Sequence, residues 1–286
     1  MWKAEDSLEL YGIEKWGNGY FSVNDKGDVV IMPGKEPSSS VDVMDLIEEI
    51  EKSRDLEFPV LLRFPQILAD RVIELHEAFR KAIKEFAYDG SYQGVYPVKT
   101  NQMKEVVEEI VRAGAKYHYG LEAGSKPELM IALSMELHPD AMVLCNGYKD
   151  EDYIELALLA QKMGKKIFIV VEKLNELKVI NKVSQRLKIK PNLGIRIKLA
   201  SSGSGKWEES GGDVSKFGLT SSELLQALDF LDKNDLKGSL KLVHFHIGSQ
   251  VTKIRRIKIA LREASQFYVQ LRLMGYNVEF VDIGGG

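Results

Sequence analysis

The segment MVLCNGYKDEDYIELALLAQKMGKKIFIVV, residues 142–171, carries the pattern that decides the fold. An apolar run, Met142-Val143-Leu144, precedes Asp150, which opens a helical stretch closed by Gly164. A second apolar run follows, Ile167-Phe168-Ile169-Val170-Val171. A buried strand, a capped helix and another buried strand within about 25 residues make one step of a parallel β/α sheet. The apolar member of that step recurs at Val60-Leu61-Leu62, Gly94-Val95-Tyr96-Pro97-Val98, Tyr119-Gly120-Leu121, Leu193-Gly194-Ile195-Arg196-Ile197, Leu242-Val243-His244-Phe245-His246 and Phe280-Val281-Asp282-Ile283. Asn101 is expected to cap a helix that stripes Val106, Val107, Ile110 and Val111 along one face and ends at Gly114. Ser125-Lys126-Pro127-Glu128 and Thr220-Ser221-Ser222-Glu223 both read as capping boxes. Eight such units close a (β/α)8 TIM-type barrel, whereas an open doubly wound sheet is the competing α/β architecture. The barrel is preferred because chemically unusual residues stand at strand ends along the whole chain, while a crevice site draws on one switch point.

Upstream of this cycle, Trp16 to Ile31 reads as a β-hairpin with an aromatic face, turning at Asn24-Asp25-Lys26-Gly27-Asp28. Met32 to Ser40, with Pro33, Gly34, Pro37 and three serines, reads as a linker, and Val41 to Glu51 as a short acidic helix. Residues 1–58 are therefore expected to form a hairpin and linker segment, and residues 59–286 the barrel. The chain has 286 residues, 44% hydrophobic and 28% charged, which places it among folded globular proteins. Its 39 basic and 42 acidic residues leave a net charge of −3, which argues against a nucleic-acid partner. No apolar run is long enough for a membrane span, and the acidic N-terminus lacks a secretory signal, so a cytoplasmic location is expected. The single cysteine, Cys145, excludes an internal disulfide framework and a Cys-rich metal site, and reads as a buried, unreactive thiol.

Several strand ends carry residues that suit chemistry. Lys99 closes the run Val95-Tyr96-Pro97-Val98. Pointing into a dry barrel interior it becomes a nucleophile by desolvation; solvated at the helix entrance it is only a surface lysine. His244 and His246 share a strand face if the strand runs through both. They read either as a metal pair or as one imidazole laid flat against a cofactor ring with Ser249 nearby. The metal reading needs further ligands, and only His76, His118 and His138 remain, two of them in or beside helices. Gly284, Gly285 and Gly286 let backbone amides approach a phosphate, or form a flexible terminus. Ser204-Gly205-Lys206-Trp207 fails as a P-loop, since Trp207 replaces Ser/Thr and Ala200 the first glycine; Leu199 to Gly218 reads as a long polar loop over the strand ends. Arg196, inside an apolar strand, and Glu122, at the end of one, are either site residues or partners in an ion pair across the barrel.

In order, Tyr96-Pro97-Val98-Lys99-Thr100-Asn101-Gln102, Gly120 to Leu129, Cys145 to Asp150, His244-Phe245-His246-Ile247-Gly248-Ser249-Gln250 and Asp282-Ile283-Gly284-Gly285-Gly286 resemble the alanine-racemase-like, pyridoxal-phosphate-dependent decarboxylases of basic amino acids. Trp16-Gly17-Asn18, Phe64-Pro65-Gln66-Ile67-Leu68 and the insertion from Ala200 to Leu219 resemble the biosynthetic arginine decarboxylase branch. The resemblance implies pyridoxal 5'-phosphate as cofactor, L-arginine as substrate, and agmatine and CO2 as products, in polyamine (putrescine and spermidine) biosynthesis. It implies Lys99 as the covalent attachment point and His246 as the imidazole stacked on the pyridine ring. Ser249, Gly284, Gly285 and Gly286 would lie about the phosphate, Arg196 near the ring and Glu122 near Lys99. The run Val281, Asp282, Ile283 and the glycines would contact substrate. It also implies a homo-oligomer and adds Mg2+, for which no ligand set is evident.

Members of that family continue past the third glycine, through the last barrel strand and a β-domain. The resemblance therefore implies a barrel truncated after seven strands and little activity in this chain alone. Ornithine, lysine or diaminopimelate as substrate, a non-catalytic pyridoxal-phosphate carrier, and a metal-dependent hydrolase are the rival readings.

Overall fold

A computed structural model describes residues 3–53, 56–200 and 217–285. The chain divides into two compact units, Met1–Tyr92 with Met103–Lys116, and Gln93–Gln102 with Tyr117–Gly286.

In the first unit the expected hairpin forms. β1 (Phe21–Val23) pairs antiparallel with β2 (Val29–Ile31), with Phe21 opposite Ile31. Its turn is built on Asn24, whose Oδ1 accepts from the backbone of Lys26 and Asp28, both at 3.0 Å. Two helices that the composition did not suggest precede it, α1 (Ala4–Leu10) and α2 (Ile13–Trp16). The expected helix at Val41 begins two residues later. Val41–Asp42 is a third strand, β3, paired with β2, and the Asp42 carboxylate then accepts from Met44 N at 2.9 Å to start α3 (Val43–Ser53). The expected strand at Val60-Leu61-Leu62 does not form: these residues belong to no strand, and Leu61 is 73% exposed. Pro59 takes away a backbone donor just before the run, and Pro65 soon commits the chain to α4 (Pro65–Glu85). α5 (Lys104–Gly114) ends at the expected glycine, but its N-cap is Met103, not Asn101, which stays extended at φ −159°.

The second unit is a seven-stranded parallel sheet of β4 (Val95–Pro97), β5 (Gly120–Ala123), β6 (Met142–Cys145), β7 (Lys166–Val171), β8 (Leu193–Arg196), β9 (Leu240–His244) and β10 (Phe280–Asp282). Each strand pairs with its neighbours in sequence, so the order runs β4 to β10 without a reversal. A doubly wound sheet must reverse its order at a switch point. This sheet does not, and it is a seven-stranded arc of a (β/α)8 barrel. Helices α6 (Lys126–Ser134), α7 (Glu151–Lys162), α8 (Glu176–Leu187), α9 (Ser221–Lys233) and α10 (Ile254–Leu273) alternate with the strands. Three of their caps follow the sequence. Asp150 accepts from Tyr153 N, Thr220 and Glu223 form a reciprocal box, and Ser125 accepts from Glu128 N. The Glu128 carboxylate reaches back to Gly124 N at 2.7 Å, one residue short of a true box.

Alternation along the strands layers the inner face. Met142, Leu144, Phe168, Val170 and Leu242 form one buried cluster, joined by Val95 and Phe280. Phe280 meets Phe168 edge-on, with centroids 5.4 Å apart. Two residues further along several strands, the same face changes character: Leu144 is followed by Asn146, Val170 by Glu172, Leu242 by His244 and Phe280 by Asp282. An apolar floor thus lies beneath a polar layer at the C-terminal strand ends, where barrels carry their chemistry.

Candidate functional site

The polar layer is organised by ion pairs. Register places Arg196, His244 and Asp282 side by side on β8, β9 and β10. His244 Nδ1 lies 2.7 Å from Asp282 Oδ2, and the other Asp282 oxygen accepts from Gly284 N at 2.9 Å. Burial works to raise the Asp282 carboxyl. His244, the Gly284 amide and His246 outweigh it and hold the group below the usual carboxylate range. Arg196 Nη1 meets Glu172 Oε1 at 2.7 Å, and its guanidinium lies 5.4 Å from the Phe217 ring centre. The ion pair anticipated between Arg196 and Glu122 is therefore not the one formed. Glu172 stands between them in strand order and takes the arginine.

Glu122, 8% exposed on β5, has its pKa raised by burial, against the opposing influence of Lys99, a hydrogen bond with Asn146, and His244. Lys99 sits in a single 3-10 turn, Val98–Thr100, just past β4. Thr100 Oγ1 donates to Pro97 O at 2.8 Å, and Tyr96 Oη to Asn101 O at 3.2 Å, which fixes the turn. The lysine is exposed, the solvated one of its two readings, in the turn that follows the strand. Its charge still bears on Glu122 and His246.

β9 ends at His244, so His246 is a loop residue and the two imidazoles do not share a strand face as anticipated. Phe245, buried between them, has its amide bound to Asp282 O at 3.0 Å, which completes the pairing of His244 with Asp282 at the end of the strand. His246 is pushed down to about 4, first by burial and then by the charges of Arg196, His244 and Lys99. Ser249 is half-buried in the following loop, between Gly248 at φ +107° and Gln250 at φ +54°.

Gly284 has φ +67°, and a Cβ there would lie 2.8 Å from both His246 Nδ1 and Phe245 O. Only glycine lets these two loops meet. Gly285 faces open space, Val281 and Ile283 are exposed on either side of Asp282, and Gly286 lies outside the described residues. Residues 201–216, most of the long polar insertion, lie outside them as well. Cys145 is fully buried and its thiol is pushed up to about 12 by burial, in keeping with an inert side chain.

In the segments that follow β6 and β7, Lys149 Nζ donates to Gly147 O and lies 3.4 Å from Glu176 Oε2, both side chains being buried. Glu176 accepts in turn from the amides of Glu172 and Lys173 at 2.8 and 3.3 Å. Sequence reasoning missed Glu172, Asn146 and this Lys149–Glu176 pair. The rule that singled out Glu122, a polar residue ending an apolar strand, also applies to Glu172 after Val171 and Asn146 after Cys145.

Gly284 leaves the space in front of His246 clear of a side chain. The imidazole there is neutral at physiological pH, an amine stands within electrostatic reach, and glycine backbone adjoins. This donor set fits a flat, phosphorylated aldehyde cofactor.

Residues 70–286 match the family described as pyridoxal-dependent decarboxylase, pyridoxal binding domain. The biosynthetic arginine decarboxylase of Phocaeicola vulgatus is 62% identical over 285 residues, 100% of this chain and 45% of that protein. The biosynthetic arginine decarboxylase of Bacteroides thetaiotaomicron gives the same identity and coverage. Among solved structures, the biosynthetic arginine decarboxylase of Campylobacter jejuni superposes with a TM-score of 0.86 at 38% identity, covering 96% of this chain and 44% of that one. This chain thus spans about 45% of the length of the curated relatives it matches.

Proposed function

Because this chain belongs to the pyridoxal-dependent decarboxylase family, we propose that the protein removes the carboxylate of L-arginine, giving agmatine and CO2 with pyridoxal 5'-phosphate as cofactor. The observation that carries the substrate is the 62% identity, along the whole of this chain, with relatives named for arginine. When bound, the cofactor supplies an electron sink for the pair left on Cα as CO2 departs.

The remaining work falls to this chain's own residues. Lys99 is the amine that holds the cofactor covalently, and its exposed position leaves it free to swing toward the strand ends. His246, uncharged at physiological pH, would offer the ring a flat aromatic surface to stack on. Glu122, raised by burial, keeps a proton more readily than an exposed carboxylate would, beside Lys99. Gly284, its own amide held by Asp282, lets the loop turn close to His246, and Gly285 offers its backbone amide to the phosphate, with Gly286 and Ser249 assigned to the same loop set. Arg196, anchored by Glu172, keeps a fixed positive charge over the site without drifting into solvent. The run from Val281 through Asp282 and Ile283 borders the substrate, and Asp282 orients His244. Residues 59–286 form the cofactor-binding part on this reading, and residues 1–58 a flanking segment.

No helix among the described residues is long and apolar enough to cross a membrane. Cytoplasmic location and homo-oligomeric assembly belong to the same proposal. Among the described residues nothing supports a magnesium site: the only group of three metal-capable side chains is His118, His138 and Asp140, rich in nitrogen.

Two measurements test the proposal. Offered arginine, ornithine, lysine and diaminopimelate separately, the protein should release CO2 fastest from arginine and yield agmatine. A preference for another amino acid would move the substrate, and binding without CO2 release would leave only a carrier. Borohydride reduction with pyridoxal phosphate present, followed by peptide mapping, should label Lys99 and nothing in Lys99→Ala; a label elsewhere removes Lys99 from its role.

A further inference from the structure

At the opposite, N-terminal ends of β5 and β6 the described residues bring together His118, His138 and Asp140. We propose that these three side chains form a binding site for a divalent transition-metal ion of the Zn2+ class. The inference is independent of the decarboxylase reading.

Register creates the site. Leu121 pairs with Val143, so His118 and Asp140, three residues before each, leave the sheet at the same level. Gln93 stands at that level on the next strand, since Val95 pairs with Gly120. Its side-chain amide donates to both His118 O at 2.8 Å and Asp140 O at 2.9 Å, tying the two entering loops to one group. His118 holds a left-handed backbone at φ +54°, and Ala141 N closes a tight turn on His138 O at 2.9 Å. The result is two parallel imidazoles, centroids 3.9 Å apart, beside one carboxylate. Asp140 Oδ2 lies 3.9 Å from His118 Nδ1 and 3.8 Å from His138 Nδ1.

The donor chemistry selects the ion. Two imidazole nitrogens and a carboxylate oxygen suit Zn2+, Ni2+ or Cu2+, whereas Mg2+ and Ca2+ require oxygen ligands. Ligand bonds of roughly 2.0–2.2 Å put tetrahedral donors about 3.4 Å apart. Closing the two separations from Asp140 takes about half an ångström, and the stacked rings must tilt apart so that both lone pairs meet the ion, a movement open to side chains that are partly exposed or exposed. Asp140 N donates to His138 Nδ1 at 3.2 Å, so that nitrogen presents a lone pair, and the ion would replace this long contact. Three protein ligands leave a fourth position for water. The position suggests a structural role: the N-terminal end of a barrel serves stability, and the ion would join the entries of two adjacent strands.

The test is equilibrium dialysis of the purified, tag-free, chelator-treated protein against Zn2+ alone, with Co2+ as a spectroscopic probe. The expected result is one ion per chain and Co2+ ligand-field bands in the visible. Affinity should fall at least tenfold in each of His118→Ala and His138→Ala, and less in Asp140→Asn, while millimolar Mg2+ fails to compete. All three positions are partly exposed or exposed, and circular dichroism of each variant verifies its fold. Saturating Zn2+ should also raise the melting temperature of the wild-type protein by about 2 °C or more and leave the double histidine variant unmoved. Three results overturn the proposal: no bound ion, unchanged stoichiometry and affinity in the double variant, or loss confined to one histidine.

Discussion

The His246 imidazole stays neutral until about pH 4 in the folded chain, because charging it there would strand a cation in a buried position behind Arg196 and Lys99. The unfolded chain protonates the same ring near 6.5. Between these values the unfolded state binds the extra proton, so the contribution of this ring to stability is full above about 6.5 and declines as pH falls toward 4. Urea unfolding at pH 7 and pH 5 should show this as a loss of roughly 1–2 kcal/mol in wild type that is missing from His246→Gln. The difference between the two proteins is the readout, since buried Glu122 and Glu176, both raised by desolvation, favour the folded state in the opposite direction as pH falls. An identical pH dependence in both would mean that His246 is solvated. The residue was legible in the sequence and its setting was not. A strand assumed to run on through Phe245 put His244 and His246 on one face, whereas the pairing with the neighbouring strand ends at His244.

At the scale of elements, the loops after β6 and β7 are joined by the Lys149–Glu176 pair. Gly147, at φ +73°, passes so near Gly124 O that a Cβ would lie 2.1 Å from it. Lys149→Met leaves the Glu176 carboxylate buried without its cation, and removing one member of such a pair costs about 3–5 kcal/mol. Lys149→Met combined with Glu176→Gln removes both charges and should recover most of that loss. A double variant no better than the single would show that the charges do not act as a pair. Helix starts at Ser125, Asp150 and Thr220 could be read directly because a cap and its amide lie within three residues. The Arg196–Glu172 pair could not, since it joins residues 24 apart through the pairing of β7 with β8. Val60-Leu61-Leu62 has the composition of a strand, but Pro59 and Pro65 flank it and it pairs with no neighbour, which the apolar run by itself does not reveal.

At the scale of the whole molecule, the barrel architecture was readable from the spacing of apolar runs, and the unbroken order β4 to β10 bears it out. Phe168 belongs to the apolar floor that spans strands from β6 to β10. Phe168→Ala should destabilise the second unit by about 3–5 kcal/mol, read as a lower urea midpoint with an unchanged slope. A loss below about 1 kcal/mol would mean that the floor repacks.

That sequential strand order also governs how the protein is made. As the chain leaves the ribosome, every new strand finds its partner in the one synthesised just before it, so the sheet can grow by zippering from one edge. Asp282 and Gly284 arrive on the last described strand, after Lys99, Glu122 and Arg196 are already in place. A nascent chain therefore presents Lys99 well before Gly284 and Gly285, and under the proposed function capture of the cofactor becomes a late event of biogenesis.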